Sequence, residues 1–566
     1  MKINYFKKTG IVFASLSILL SGCDFLDTKI DTDLTPQSLE TSYSMLWYFG
    51  YAIYSNIQSG FSALDGNFFA AASDEAQQTR ESGYAYSFNR GIISPNNVTA
   101  ASNSIYNKCY EGIRACNFFL DFSENGEEFL ALNRNVKENP DNYERDLRNL
   151  GWLRAEAHIC RAYYYMELIK RFGGVPIVET TSDKDVNSGK ISRSSYDDVV
   201  EYIVNEIDTY KDELQTNWKT HPDNVKDSDG RFDLKSALAI KARVLLYAAS
   251  PLNNPDNDLT KWERAAHATQ DVISLMNYAM PTNRGYGNYF QEYNAAAHEE
   301  SIFVLRISQS NSLEKANYPI ATIGGNSGIT PTQDLVDAYE YLRNVIPNPQ
   351  NPYEGRDPRL AATIVTNGSE WNGRTIDQLP GGTDDMQKPN AGKTGYYLKK
   401  FLPANLNLTR DAKVYHVWVV FRYADILLMH AEAMNEAYGV TARPEGFTVS
   451  ARQALTTVRN SASSSLPLIN SIADVALFRN AVKRERRVEL AFEDHRYWDL
   501  IRWKDAETVL NKPVHGVKIS KDEGDNLLYQ VQEVGERVFH TRNYHLPFSR
   551  SEIVNSGGTL KQNEGY

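Results

Sequence analysis

Cysteine is scarce in this chain: four in 566 residues, at positions 23, 109, 116 and 160. Cys23 closes a short apolar run. The three others form an odd, sparse set that makes no disulfide framework. Cys109 and Cys116 fall seven residues apart on a helical pattern, about 10 Å along its axis, too far to bond within one helix. Cys109, Cys116 and Cys160 therefore read as small buried hydrophobes. The sequence has no HExxH, no GxSxG, no phosphate-binding GxxxxGK[ST] and no CxxC pair, so it carries no motif of zinc peptidases, serine hydrolases, P-loop enzymes or thiol oxidoreductases. "KDSDGRFD" places Asp227, Asp229 and Gly230 like part of a calcium loop. The first and last ligand positions would be Val225 and Ser236, so an Asp-Gly turn is the expectation. No metal and no cofactor is expected. Positive charge is short as well: 60 Lys and Arg against 71 Asp and Glu give a net charge of −11. Such a surface repels nucleic acid and argues against a polybasic grip on anionic lipid.

What stands at the start is a basic stretch with Lys2, Lys7 and Lys8, an apolar core from Ile11 to Leu20, then Leu20-Ser21-Gly22-Cys23. The core is shorter than the ~20 apolar residues that span a bilayer. The layout is that of a secretion signal, and the small residues before a cysteine resemble the bacterial lipoprotein signal. There the thiol of Cys23 would be acylated and residues 1–22 removed, leaving a net charge near −14 on the mature chain. Several acyl chains would hold the protein firmly, because each buried CH₂ contributes ~0.8 kcal/mol. No later segment is apolar enough to span a membrane.

Helical periodicity dominates the rest. In "GWLRAEAHICRAYYYMELIKRFGGVP", Trp152, Ala155, Ile159, Tyr163 and Met166 share one face, and Gly173, Gly174 and Pro176 end the pattern. "RSSYDDVVEYIVNEIDTY" follows, with Ser194 or Ser195 as its cap. "DLKSALAIKARVLLYAASPLNNP" pairs with "KWERAAHATQDVISLMNY", and "RYADILLMHAEAMNEAYG" with "SARQALTTVRNSA". Helix–turn–helix couples with alanine at close-packing positions suggest tetratricopeptide-like pairs, without a clean 34-residue consensus. Short strands are expected at "SIFVLRI" and "VYHVWVVF". Long stretches rich in Gly, Asn, Pro and Tyr cover roughly 60–100, 280–330 and 340–412, and loops of that length are usually functional. The fold class is therefore mainly α, a helix-pair scaffold with long irregular insertions and a few short strands.

One segment could carry chemistry. On the helix of "FRNAVKRERRVELAFEDHRYWDLIRW", Phe478, Val482, Glu485, Glu489 and Phe492 share a face. Glu485 and Glu489 then lie ~5–6 Å apart at Cβ, near the separation a retaining glycosidase uses. Side chains one turn apart point the same way, however, and cannot easily flank a sugar ring. Arg484, Arg486, Arg487, Arg496 and Arg502 stand close in sequence, and buried acids need such partners. The favoured reading is a structural ion-pair cluster.

Taken together the segments resemble a known family. "SGCDFLD", "ASDEA" at 72–76, "RAEAHICRAYYYMELIKRFGGVPIV", "ALAIKARVLLYAASPLNN", "PTQDLVDAY", "DPRL", "RYADILLMHAEAMNE", "ERRVELAFEDHRYWDLIRW" and "SEIVNSGGTLKQNEGY" run in order over almost the whole chain. This set is similar to the SusD/RagB family of nutrient-binding outer-membrane lipoproteins of Bacteroidetes. Departures are minor: Glu564 stands where proline is frequent, and "LPFSRSEI" replaces a more usual Pro-Ile-Pro run. The resemblance implies a single body over 23–566, with about four tetratricopeptide-like pairs as scaffold and a loop-rich ligand face, mainly 60–100 and 280–412. It implies no catalysis, an outer-membrane, lipid-anchored and surface-exposed location, and capture of glycan for a SusC-like TonB-dependent β-barrel partner.

A surface that binds sugars wants aromatic planes flanked by polar groups. "SDEAQQTRESGYAYSFNRGIISPNN" has that chemistry. Tyr84, Tyr86 and Phe88 alternate, so an extended segment would set them on one side, with Asp74, Arg80, Asn96 and Asn97 nearby. "NRGYGNYFQEY" adds Tyr286 and Tyr289, and "KANYPIATIGG" adds Tyr318. In starch-binding relatives, aromatics from comparable loops form an arc around the glycan. Packing on the scaffold is the competing role for each ring, and for Phe88 the favoured one. Two alternative functions stay open: a family member that takes oligopeptides, and a glycoside hydrolase using Glu485 and Glu489.

Overall fold

The computed structural model describes residues 43–566, apart from 81, 99, 135, 182–191, 221–229, 277–279 and 281–284. The signal segment, Cys23 and the Asp227–Asp229 stretch lie outside the described residues.

The helical scaffold follows the periodicity. Helix α1 is Tyr43–Ala52 and α2 is the short Gly83–Asn89. Among the described residues, eight helices of 12 residues or more then run in sequence: α3 Ala100–Phe122, α4 Pro140–Phe172, α5 Tyr196–Tyr210, α6 Leu234–Ala249, α7 Leu259–Leu275, α8 Tyr423–Tyr438, α9 Ala451–Ala462 and α10 Val475–Glu489. Each packs on its predecessor in the chain, so they form four couples wound as in a tetratricopeptide array. The last of them, α10, also lies against α8.

Local chemistry sets the helix ends. Ser195 caps α5 in a capping box: its hydroxyl accepts from Asp198 N at 3.1 Å, and Ser195 N donates to the Asp198 carboxylate at 3.2 Å. Gly173 closes α4 at φ 71°. A Cβ on the next residue, Gly174, would stand 2.2 Å from the Ser194 carbonyl oxygen, so only glycine lets the chain turn there against the start of α5. Along α4, Ala155, Ile159, Tyr163 and Met166 are buried, and so are Tyr164 and Tyr165. Cys109, Cys116 and Cys160 are buried free thiols where α3 meets α4.

Between α7 and α8 the chain leaves the array for about 150 residues and returns. Among the described residues, five two-stranded antiparallel sheets punctuate the loops. Three matter here. Strand β1 (Ala76–Gln78) pairs with β3 (Ile329–Pro331). The strand β2 (Ser301–Ser310) pairs with β4 (Val414–Arg422), in a register that sets Leu305 opposite Trp418 and Ile307 opposite His416. A terminal hairpin joins β5 (Val514–Lys521) to β6 (Leu527–Gly535). One apolar cluster extends from Leu46 on α1 to Leu560 near the end of the chain, through both helices and loops. Among the described residues no helix is long and apolar enough to cross a membrane.

Candidate ligand-binding face

The two loop regions expected to form a ligand face are stitched together. Asn67 Nδ2 donates to Asn317 Oδ1 at 2.9 Å, β1 pairs with β3, and Thr79 N donates to the Gly328 carbonyl at 3.0 Å. Asp65 then starts α2, its carboxylate accepting from Tyr84 N at 2.9 Å and Ala85 N at 2.8 Å.

That helix corrects the expectation of an extended Tyr84–Phe88 segment. In a helix, residues two apart lie ~160° apart and residues four apart share a face. Phe88 therefore faces inward, its ring 5.1 Å from Phe69 and 5.9 Å from Tyr497. Tyr84, on the same side, is half-buried against the core. Tyr86 alone faces out, 38% exposed, with the Arg90 guanidinium 5.7 Å from its ring. Arg90 meets Glu536 at 3.4 Å. Gln77, Gln78, Tyr86, Asn89, Arg90 and Glu536 line a notch of about 10 Å³, room for one hydroxyl or water. Two acceptors in its wall, Gln78 Oε1 and Asn89 Oδ1, have no hydrogen-bond partner, although Asn89 is only 9% exposed. The Asn89 amide nitrogen donates to the Ala71 carbonyl at 3.0 Å, which fixes its orientation and leaves the oxygen waiting for a donor.

Other candidates are anchors rather than exposed surfaces. Tyr318 is fully buried, its hydroxyl donating to the Pro403 carbonyl and its ring edge-on to Trp371. Tyr289 is buried with its hydroxyl 2.6 Å from Ser301 Oγ. The Tyr286 hydroxyl donates to the Glu489 carbonyl at 2.6 Å and accepts from Lys400 at 2.8 Å. None of these three rings lies open as a stacking platform: long loops in a compact body need apolar anchors of their own, and these tyrosines supply them. Asn97 holds a turn, accepting from Ser94 N at 2.6 Å and donating to the Ile92 carbonyl at 2.8 Å. Arg80 and Asn96 are exposed.

Asp74 lies beneath β1, paired with Arg487 at 2.8 Å and Arg496 at 2.8 Å. Burial opposes its charge, yet the two guanidiniums hold its carboxyl well below the usual carboxylate range. Next to it, burial and then the Asp74 charge push Glu75 up to about 8. Arg537 Nη2 donates to the Ala76 carbonyl at 2.7 Å and so ties the terminal hairpin's exit to the notch.

The carboxylate pair of α10 is spent on the scaffold. Arg359 reaches Glu485 at 2.6 Å and Glu489 at 2.7 Å, Arg459 holds the other oxygen of Glu485 at 2.8 Å, and Arg422 holds that of Glu489 at 2.6 Å. Both acids are buried, so no substrate reaches them in this structure. Burial opposes the charge on Arg359, but Asp357, Glu485 and Glu489 more than offset it and raise its pKa. Among the described residues no group of three His, Cys, Asp or Glu side chains could hold a metal ion.

Sequence reasoning missed Gln77, Gln78, Asn89, Arg90 and Glu536. Arg90 stands four residues after Tyr86, a signal once the segment is read as a helix. Glu536 is 446 residues away and gives none.

Comparison with known proteins settles the family. The SusD family model matches residues 275–566, more than half of the chain. The chain belongs to the SusD family. A second family model, described as starch-binding associating with outer membrane, matches residues 24–246. The SusD-like protein P2 of Formosa agariphila is 24% identical over 421 residues, covering 73% of this chain and 74% of that protein. A SusD-like protein of Bacteroides fragilis superposes with a TM-score of 0.74 at 25% identity, over 94% of this chain and 99% of the other. A second solved structure from that organism, of a SusD-like carbohydrate binding protein, gives 0.71 at 22% identity, over 92% and 99% of the two chains, and supports the fold.

Proposed function

We propose that this SusD-family chain is a lipid-anchored surface protein that captures glycan through the face around Tyr86 and delivers it to a TonB-dependent β-barrel transporter. The observation that carries the reading is the notch itself: one exposed aromatic ring beside two amide oxygens that lack donors. Sugars present apolar CH faces to stack on a ring and hydroxyls to donate to such oxygens. Arg80 and Asn96 are the further polar candidates on the adjoining loops. Acylation at Cys23 gives the arrangement its purpose, because a tethered receptor meets its barrel partner again at high effective concentration. Capture needs no bond cleavage, in keeping with carboxylates at Glu485 and Glu489 that are buried and paired.

Isothermal titration of the mature chain against neutral oligosaccharides and oligopeptides tests this reading. Binding of one oligosaccharide class without product release is expected, weakened in Tyr86→Ala. Binding of peptides alone, or turnover of the glycan, would overturn it. Incorporation of labelled palmitate, lost in Cys23→Ala, tests the anchor.

A further inference from the structure

Helix α1 differs from the rest of the scaffold in composition. Its sequence, YSMLWYFGYA, holds no charged side chain, and all but Ser44 and Gly50 are apolar or aromatic. Helices α3 to α10 each carry charged side chains. A helix that is apolar on every side is normally buried on every side. This one is buried on one side only. Leu46, Gly50 and, just past its end, Ile53 form the inner stripe. A Cβ on Gly50 would stand 2.9 Å from Leu153 and 3.3 Å from Phe119, so glycine lets α1 lie close against α4 and α3. The opposite stripe, Ser44, Tyr48 and Tyr51, is exposed. Spacings of four and three put these residues on one face. Tyr48 is 62% and Tyr51 46% exposed.

The surface that covers this stripe follows from where α1 sits in the chain. It is the first described element after Cys23. Tyr43 is twenty residues on from Cys23, and full extension at ~3.5 Å per residue keeps it within ~70 Å of the anchor. Charge restricts which part of the protein can approach an anionic lipid surface. The mature chain is near −14, so the approach has to be made by an uncharged patch. The outer stripe of α1 is such a patch. Tyrosine suits the boundary of a bilayer, because its ring enters the apolar side while its hydroxyl stays among polar headgroups. The Tyr51 hydroxyl accepts from Asn149 Nδ2 at 3.4 Å and so keeps a partner when water leaves.

We infer that the Ser44–Tyr48–Tyr51 stripe docks on the headgroup layer of the membrane that holds the anchor. The contact fixes how the body is turned on its tether. Two tyrosines make a weak contact alone, but tethering raises the effective concentration of lipid at the stripe enough to close it. This inference rests on the lipid-anchor part of the proposed function.

In the test the anchor is supplied chemically, so the result is separate from whether the cell acylates Cys23, which palmitate labelling decides. Cys109, Cys116 and Cys160 are buried, so a maleimide-lipid couples the mature chain at Cys23. On vesicles of phosphatidylethanolamine and phosphatidylglycerol, hydroxyl-radical oxidation of Tyr48 and Tyr51 should fall severalfold relative to the uncoupled chain, while Tyr86 reacts as before. Unchanged rates at Tyr48 and Tyr51, or an equal fall at Tyr86, overturn the inference. Protection that appears only on membranes carrying a β-barrel partner also overturns it, and assigns the stripe to a protein contact. A single acyl chain holds a protein reversibly. With one myristoyl chain at Cys23, the double variant Tyr48→Ser, Tyr51→Ser should pass between vesicles severalfold faster than the parent chain. Equal transfer rates would mean that the stripe does not touch lipid.

Discussion

The cluster around Arg359 and Arg422 and the cluster around Arg90 are built from the same residue types and behave differently. In the first, Arg359, Arg422 and Arg459 are buried and each meets carboxylates at 2.6–2.8 Å. In the second, Arg90 reaches one exposed carboxylate at 3.4 Å, and the amide oxygens beside it have no partner. Sequence composition does not separate them. Burial does, because a charge taken out of water must be paired while an exposed one need not be. Closed networks hold the fold together. The open one keeps amide acceptors that a ligand's donors could fill.

The contrast is tested hardest by Arg359→Met. It strands Asp357 and leaves Glu485 with Arg459 and Glu489 with Arg422 in a buried site, and losing one partner of such a network costs about 3–5 kcal/mol. Urea denaturation should show a fall of that order, or the variant should fail to accumulate. A change below ~1 kcal/mol would show that the network is not what holds α10 in place.

Glu75 probes the seam between the two clusters. Its Oε1 has no partner and its folded pKa is raised to about 8 by burial and then by Asp74. Below the unfolded value near 4.5 both states hold the proton. Between there and about 8 only the folded state does, so this group's stabilisation is lost as pH rises through that window. Glu75→Gln removes the loss. At pH 8 it should be more stable than the parent by about 1–4 kcal/mol, since each tenfold change in proton affinity is worth ~1.4 kcal/mol, and near parity at pH 4. Glu167 has the opposite sign. Burial opposes its charge, yet Lys170 and Arg171 hold it at about 2, so its stabilisation is present at neutral pH and lost as pH falls from 4.5 toward 2. A parent chain whose stability is flat from pH 4.5 to 8 would contradict the Glu75 assignment.

Much of this could be seen in the sequence. The stripe through Ala155, Ile159, Tyr163 and Met166 marked the buried face of α4, and the crowd of arginines around "ERRVELAF" implied that Glu485 and Glu489 are paired. The partners themselves could not be read, because Arg359 and Arg422 arrive from the long excursion between α7 and α8. The proposed ligand face was legible as loops and not as residues. Tyr84, Tyr86 and Phe88 fit a two-residue period and a helical one equally well over so short a stretch, and Asp65, nineteen residues before Tyr84, decides for the helix by capping it. Tyrosine hydroxyls also mislead: Tyr289 and Tyr318 look like sugar platforms in a Gly- and Asn-rich context and are instead loop anchors with buried bonds.

Those two uses of tyrosine can be set against each other. Tyr318→Phe deletes a buried hydroxyl that donates to the Pro403 carbonyl, and should cost about 1–3 kcal/mol of stability with no change in glycan affinity. Tyr86→Ala should do the reverse. Loss of an exposed stacking ring lowers affinity by ~1–2 kcal/mol, about five- to thirty-fold, while the thermal midpoint stays put. Both measurements on both variants give a crossed pattern if anchors and platform are distinct. If Tyr86→Ala unfolds the chain, its ring belongs with the anchors.

The smallest effect is expected at Glu536, and it sharpens what the notch selects. Its pair with Arg90 is exposed, so Glu536→Gln should change stability by less than ~1 kcal/mol. The substitution keeps the size of the side chain and its ability to accept a hydrogen bond. It removes a competing carboxylate from beside Arg90, however, and a guanidinium relieved of that carboxylate favours an anionic group on the ligand. Affinity for a neutral oligosaccharide should move less than twofold, while affinity for its uronate-bearing counterpart should rise severalfold and fall again with salt, as a contact between exposed charges does. Equal gains for both sugars would mean that Glu536 blocks the notch by its bulk rather than by its charge.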